Sequence, residues 1–194
     1  LHLCNKNMVN MEKIATSTTS DTLLAEVCYA AKEEGDSIKT HYPPYQNIYD
    51  DSASQLCTVL ARSFADIGDI IRGKDLYIRN KREKRRLEDN LKKIFKKIYE
   101  ELIKKKTNGK TLQTRYGSDA PEFFKLREDW WEANRAKVWK AITCNDDKKL
   151  ASASYFRPTC SDRNGNSQYQ TQNQCRCRDN QVPTYFDYVP QYLR

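Results

Sequence analysis

Phe123, Leu126, Trp130, Trp131, Ala133, Val138, Trp139 and Ile142 crowd the segment ending at Ile142 with more large apolar side chains than one helix face can hold. A helix here must be covered on more than one side, which requires packing against several other helices. The three tryptophans are therefore read as bundle core and not as a stacking surface for sugars or bases. Asp119, Ala120, Pro121 and Glu122 supply an N-cap, an early-turn proline and a capping-box acid, which sets this helix at Ala120 to Ile142.

A second stretch gives the bundle its organising element. In Gln55 to Gly73 the residues Leu56, Val59, Leu60, Ser63, Phe64 and Ile67 recur at helical spacing, so one face turns to a core. Gly68 is expected to break the helix and Gly73 to close a short piece after it. Asp66 and Asp69 flank that glycine and resemble a catalytic pair. Two aspartates at a helix end are more simply capping and ion-pairing groups, with Arg62 or Arg72 as partners.

Two further helices follow from the same periodicity. Thr22 to Glu34 carries Leu23, Leu24, Val27, Cys28, Ala30 and Ala31 on one side and is expected to stop at Gly35, while Tyr77 to Lys106 carries a narrow stripe of Leu87, Leu91, Ile94, Ile98 and Leu102. The polar lead-in through Asp21, the proline- and tyrosine-rich stretch His41 to Asp51, and Lys106 to Gly117 read as connections. After Cys144 the 3.6-residue period is lost. The expected architecture is an all-α, antiparallel helix bundle with a disulfide-stapled, loop-rich C-terminal third. Its expected divisions are a lead-in over 1–21, a bundle over 22–144 and a cysteine-containing segment over 145–194.

Seven cysteines (Cys4, Cys28, Cys57, Cys144, Cys160, Cys175 and Cys177) exceed what a cytosolic chain of 194 residues usually carries. They form no paired CxxC knuckles, and the two histidines, His2 and His41, are remote from the CRC cluster, so disulfides in an oxidising, extracellular setting are expected and zinc is not. Antiparallel packing of the two core helices brings Cys57 and Cys144 to one end, which predicts a Cys57–Cys144 bond, with Cys28 as the other candidate partner of Cys144. Cys160 is expected to pair with Cys175 or Cys177, leaving the other, and Cys4, for sequence outside this fragment.

Charge supplies the functional clue. Arg79 to Lys106 holds thirteen basic and five acidic residues, an excess equal to the +8 of the whole chain. Opposite the Leu87 stripe lie Arg82, Arg85, Lys92, Lys93 and Lys96, with Arg86 at their flank, and this cationic ridge is the candidate polyanion site. No helix-turn-helix, zinc-finger or RNA-binding signature is present, and an extracellular chain seldom meets nucleic acid, so sulfated glycosaminoglycan is the better fit. There is no GxSxG, HExxH or phosphate loop, so no catalytic residue, metal or cofactor is assigned and the chain is read as a non-enzyme. No apolar run approaches the length of a membrane helix, so no direct membrane contact is expected from this segment.

Several long blocks carry a resemblance. LARSFADIGDIIRG at Leu60 to Gly73, WWEANRAKVWKAITC at Trp130 to Cys144, YFRPTC at Tyr155 to Cys160, the CRC cluster, and VPTYFDYVPQYLR at Val182 to Arg194 closely resemble the Duffy-binding-like domains, alpha class, of the malaria parasite's variant erythrocyte membrane protein family. LHLC at Leu1 to Cys4 and LLAEVCYAAKEEG at Leu23 to Gly35 fit as well. The resemblance implies part of an adhesive ectodomain on the face of the infected red cell, within a larger membrane-anchored protein. It also implies rosetting receptors such as heparan sulfate, blood-group sugars or complement receptor one, though it carries no binding residue onto this chain. The alternative is a structural, antigenically variable domain whose neighbour holds the receptor.

Overall fold

The computed structural model describes residues 20–41, 53–76, 81–104, 109–144, 149–151, 153–162, 164, 167–171, 173–179 and 181–194. Its helices are α1 (Ser20–His41), α2 (Ala53–Arg72), α3 (Lys81–Lys104), α4 (Gly109–Tyr116) and α5 (Phe124–Ile142). Beyond α5 come two two-residue strands, β1 (Cys160–Ser161) and β2 (Gln168–Tyr169), paired antiparallel with Cys160 opposite Tyr169, and short 3-10 turns at Phe186–Tyr188 and Gln191–Leu193. The all-helical expectation with a loop-rich, disulfide-bonded final third is met. Expectations for Cys4 and for most of His41 to Asp51 lie outside the described residues.

The contacts divide the described chain into two compact groups, one holding Cys28–Gly68 and Arg135–Arg194, the other holding residues 20–27 and Asp69–Asn134. In the first group Leu56, Leu60, Phe64 and Ile67 of α2 are buried with Val138, Trp139 and Ile142 of α5. The Phe64 ring meets Trp139 edge-on at 5.2 Å, a favoured aromatic geometry, and α2 and α5 run antiparallel here as expected. In the second, Leu87, Leu91, Ile94, Phe95 and Ile98 of α3 form the inward stripe. Phe95 stands perpendicular to Trp130 at 6.1 Å, and the Trp130 indole N–H donates to Ser20 Oγ at 2.9 Å.

Two glycines expected to stop helices do not. Gly35 lies inside α1 because Ile38 continues the buried stripe of Val27 and Ala31. Its role is close approach: a Cβ there would meet the Ile142 carbonyl oxygen at 2.0 Å. Lys39, 1% exposed, reaches past it to bind the Cys144 carbonyl and pairs with Asp36 at 2.7 Å. Arg176 completes this end of α5 by donating to the carbonyls of Lys140 (2.8 Å) and Thr143 (2.7 Å), so groups left without intrahelical partners are satisfied by side chains. Gly35→Ala is expected to lower stability by roughly 1 to 3 kcal/mol through backbone displacement, against the gain of about 1 kcal/mol that alanine brings to an unhindered helix. A urea midpoint that rises in that variant would show the contact to be soft.

Gly68 is likewise interior, and α2 ends at Gly73, whose φ of 72° is the left-handed conformation glycine adopts readily. Lys74 N–H donates to Asp69 O (2.8 Å) and Gly73 N–H to Ile70 O (3.2 Å), the paired bonds of a Schellman end. Asp69 pairs with the buried Arg72 at 3.0 Å, as an ion-pairing role requires, whereas Asp66 pairs with Arg194 at 2.9 Å.

The start of α5 also differs from its expected place. Phe123, at φ 55°, cannot extend a right-handed helix backward, so the helix begins at Phe124. Asp119 still caps it, its carboxylate accepting from Lys125 N–H (2.6 Å) and Leu126 N–H (3.3 Å) across the turn. Glu122, expected to close a capping box, instead faces Lys92. Helix α4 was not expected within Lys106 to Gly117; tertiary contacts hold it, with Tyr116 buried and its hydroxyl, like the Arg115 guanidinium, bonded to Asp129.

The cysteines correct the expected pairing. Cys57 bonds Cys175 and not Cys144, and Cys160 bonds Cys177, so both CRC cysteines are used within the chain. Cys57 does lie toward the C-terminal end of α5, but the CRC segment occupies that end: the Trp139 indole N–H donates to Cys175 O at 3.0 Å. Cys144 and Cys28 are both free thiols, half-exposed. They cannot meet along these helices. Gly35 faces Ile142 and Lys39 reaches Cys144, so α1 and α5 run in the same direction, and Cys28 lies three turns back from Lys39, about 16 Å.

Candidate polyanion-binding surface

Helix α3 places its apolar residues inward and leaves the other face to charge. Along that face runs an open groove of about 550 Å³, lined by Lys81, Arg82, Arg85, Arg86 and Lys93 with Asp89 and the buried Asn90. Four of the six ridge residues expected from sequence, Arg82, Arg85, Arg86 and Lys93, therefore share one concave surface. All four side chains are exposed, and Lys96, also exposed, lies one turn beyond Lys92 on the outer face. Lys81, Asp89 and Asn90 were not singled out from the sequence, although the spacing of Arg85, Asp89 and Lys93, four residues apart, puts the acid in the same row.

Lys92 is diverted from the groove. Its ammonium pairs with Glu122 at 2.7 Å, and that hydrogen bond pushes its pKa up; a small desolvation opposes the shift, while the charges of Glu122, Glu88 and Asp89 add to it. Beside it, Glu88 is held by Arg127, which is fully buried and also donates to the carbonyls of Ile71 (2.6 Å) and Ile70 (3.0 Å). Glu128 accepts from Arg72 at 3.1 Å and from Lys74; burial alone would raise its carboxyl, but these hydrogen bonds and charges hold it below the ordinary range. Glu88, Glu122 and Glu128 are thus each paired with a cation, and the described lining of the groove is mostly basic. Among the described residues no cluster of potential metal ligands occurs, and no helix is long and apolar enough to cross a membrane.

The fold is helical and disulfide-bonded, with a basic outer face on α3. Residues 1–194 match the Duffy binding domain, and the chain belongs to that family. It is similar to the N-terminal NTS-DBL1α and CIDRγ double domain of PfEMP1 from the Plasmodium falciparum varO strain, at 36% identity and a TM-score of 0.77, covering 99% of this chain and 25% of that one. The NTS-DBL1α1 domain from the same strain is 35% identical, with a TM-score of 0.74, over 99% of this chain and 40% of that one. A PfEMP1 DBLβ domain bound to human ICAM-1 is 29% identical with a TM-score of 0.59, over 89% of this chain and 30% of that one. The chain thus spans well under half the length of these structures. No match is found among curated proteins.

Proposed function

We propose that this chain is part of a host-receptor adhesion module and that the outer face of α3 contacts sulfated glycosaminoglycan on the host cell. Its relatives support the general role, since a DBLβ domain of PfEMP1 is bound to human ICAM-1 in one of them. In the same reading the chain is displayed on the outer face of the infected erythrocyte as part of a larger membrane-anchored protein. The observation that carries the glycosaminoglycan assignment is the groove itself, whose lining among the described residues holds five basic side chains and one carboxylate. A concave surface with a strong excess of one charge concentrates the field and attracts a polymer of the opposite sign.

Each exposed contact between Lys or Arg and a sulfate contributes roughly 0.2 to 1 kcal/mol, so binding requires several acting together. It must weaken steeply with salt, as the screening length falls from about 10 Å at 0.1 M to about 3 Å at 1 M. The triple variant Arg85→Glu, Lys93→Glu, Lys96→Glu is expected to elute from a heparin column at clearly lower salt, with helix content and thermal unfolding nearly unchanged because all three side chains are exposed. An unaltered elution position in the folded variant would move the binding surface elsewhere, and no retention of the parent chain would favour a structural domain without a receptor of its own.

A further inference from the structure

The Cys57–Cys175 bond joins residues 118 positions apart, so the chain over 57–175, with α3, α4 and α5 in it, is one covalently closed ring. The two compact groups follow the same order along the chain. Asp69–Asn134, most of the second group, is inserted between Cys28–Gly68 and Arg135–Arg194 of the first, and the bond ties those two flanking segments together. The tail that leaves the ring is tied to α2 a second time: Arg194, its side chain 4% exposed, pairs with Asp66 at 2.9 Å. Cys160–Cys177 closes a loop of only 17 residues, and α3 lies outside it.

From this topology we infer that α2 and the CRC segment form a tension clamp. A pull on the chain from both sides enters α2 ahead of Cys57, crosses the sulfur bridge and leaves through Cys175 and the tail. Residues 58–174 carry none of it along their backbone. The ion pair at Asp66, whose side chain is 35% exposed, is weak and yields first; the covalent bond then holds at loads that unravel a helix. A ligand dragging on α3 loads the ring from inside, and two arms of backbone share that load, one back through α2 to Cys57 and one forward through α4 and α5 to Cys175. Opening this one bond places α3, α4 and α5 in series with the load. The inference rests on the adhesion reading, in which the chain is held within a larger anchored protein while its ligand pulls, and it adds that the oxidised state keeps the contact helix folded under load.

The test stretches the whole chain by peptide tags at its two ends in an optical trap, first oxidised and then in dithiothreitol, with fluorescent heparin in solution. The oxidised chain is expected to lengthen only by residues outside the ring and to keep its heparin. Reduction is expected to add about 400 Å, the length of 118 residues at roughly 3.3 to 3.6 Å each, and to release the heparin. The oxidised Cys160→Ala, Cys177→Ala variant is expected to keep the short limit, since its ring is still closed. Extension by the additional 400 Å in the oxidised parent chain, or in that variant, would overturn the clamp. Loss of heparin from an oxidised chain held at the short limit would show that the ring does not protect the contact face, and would overturn the inference as well. A parent chain that binds no heparin without load would overturn the glycosaminoglycan reading alone, and the two lengths would still decide the clamp.

Discussion

Replacing Cys57 and Cys175 together by alanine is expected to cost about 5 kcal/mol of stability. Their bond closes a loop of 118 residues, and the entropy removed from the unfolded chain by such a closure is worth about 4.9 kcal/mol in the chain-entropy model. Alanine is the informative replacement because both sites are fully buried, where a serine hydroxyl would need a partner. The Cys160–Cys177 bond spans only 17 residues, and the same model gives about 3 kcal/mol for its loss. The order of the two effects is the sharper test. Urea unfolding that ranks the short loop above the long one would show that native contacts around the cysteines, and not restriction of the unfolded chain, dominate. Since whole domains are stable by only about 5 to 15 kcal/mol, the first variant is expected to be largely unfolded near 37 °C.

The second large effect belongs to Arg127. Its guanidinium is fully buried, forks onto the Glu88 carboxylate, donates to the carbonyls of Ile70 and Ile71 at the end of α2, and lies 5.8 Å from the ring centres of both Phe95 and Phe124. Arg127→Met keeps the bulk and removes every donor. Glu88 then loses its partner and the Ile71 carbonyl loses its bond, and breaking one side of a buried pair costs about 3 to 5 kcal/mol. The lower end is expected, because Glu88 retains 29% side-chain exposure and water screens what remains. Arg127→Lys restores the charge but not the planar fork, and is expected to recover only part of the loss. If both variants unfold within about 1 kcal/mol of the parent, the network is dispensable.

Arg127 also marks the limit of what the sequence discloses. Within the blocks at Leu60 to Gly73 and Trp130 to Cys144, apolar spacing announces the helices and their buried faces, because burial of a stripe is a local, periodic property. Nothing periodic announces that an arginine beside Trp130 caps the end of a distant helix. The same holds for Gly35 and Gly68: glycine both ends helices and permits close approach, and only the tertiary neighbour, the Ile142 carbonyl in the case of Gly35, decides between them. Helix α4 and the displaced start of α5 depend on Asp129, Tyr116 and the backbone at Phe123, none of which a window of neighbouring residues reveals. For the cysteines, antiparallel packing of the helices puts Cys57 toward the C-terminal end of α5. An aperiodic segment carries no signal of where it will lie, and that segment supplies the partner. The basic ridge was legible because charge, like burial, repeats along a helix. The diversion of Lys92 to Glu122 required coordinates.

On α3, side chains that hold the helix in place and side chains that face outward are almost entirely different residues, with Glu88 and Lys92 at the border. Exchanges on such an exposed surface usually change stability by no more than about 0.5 kcal/mol. A lineage can therefore rewrite the charge of this helix, and with it the molecules it attracts, while the fold beneath is inherited unaltered. Novelty and foldability are kept on opposite sides of one helix.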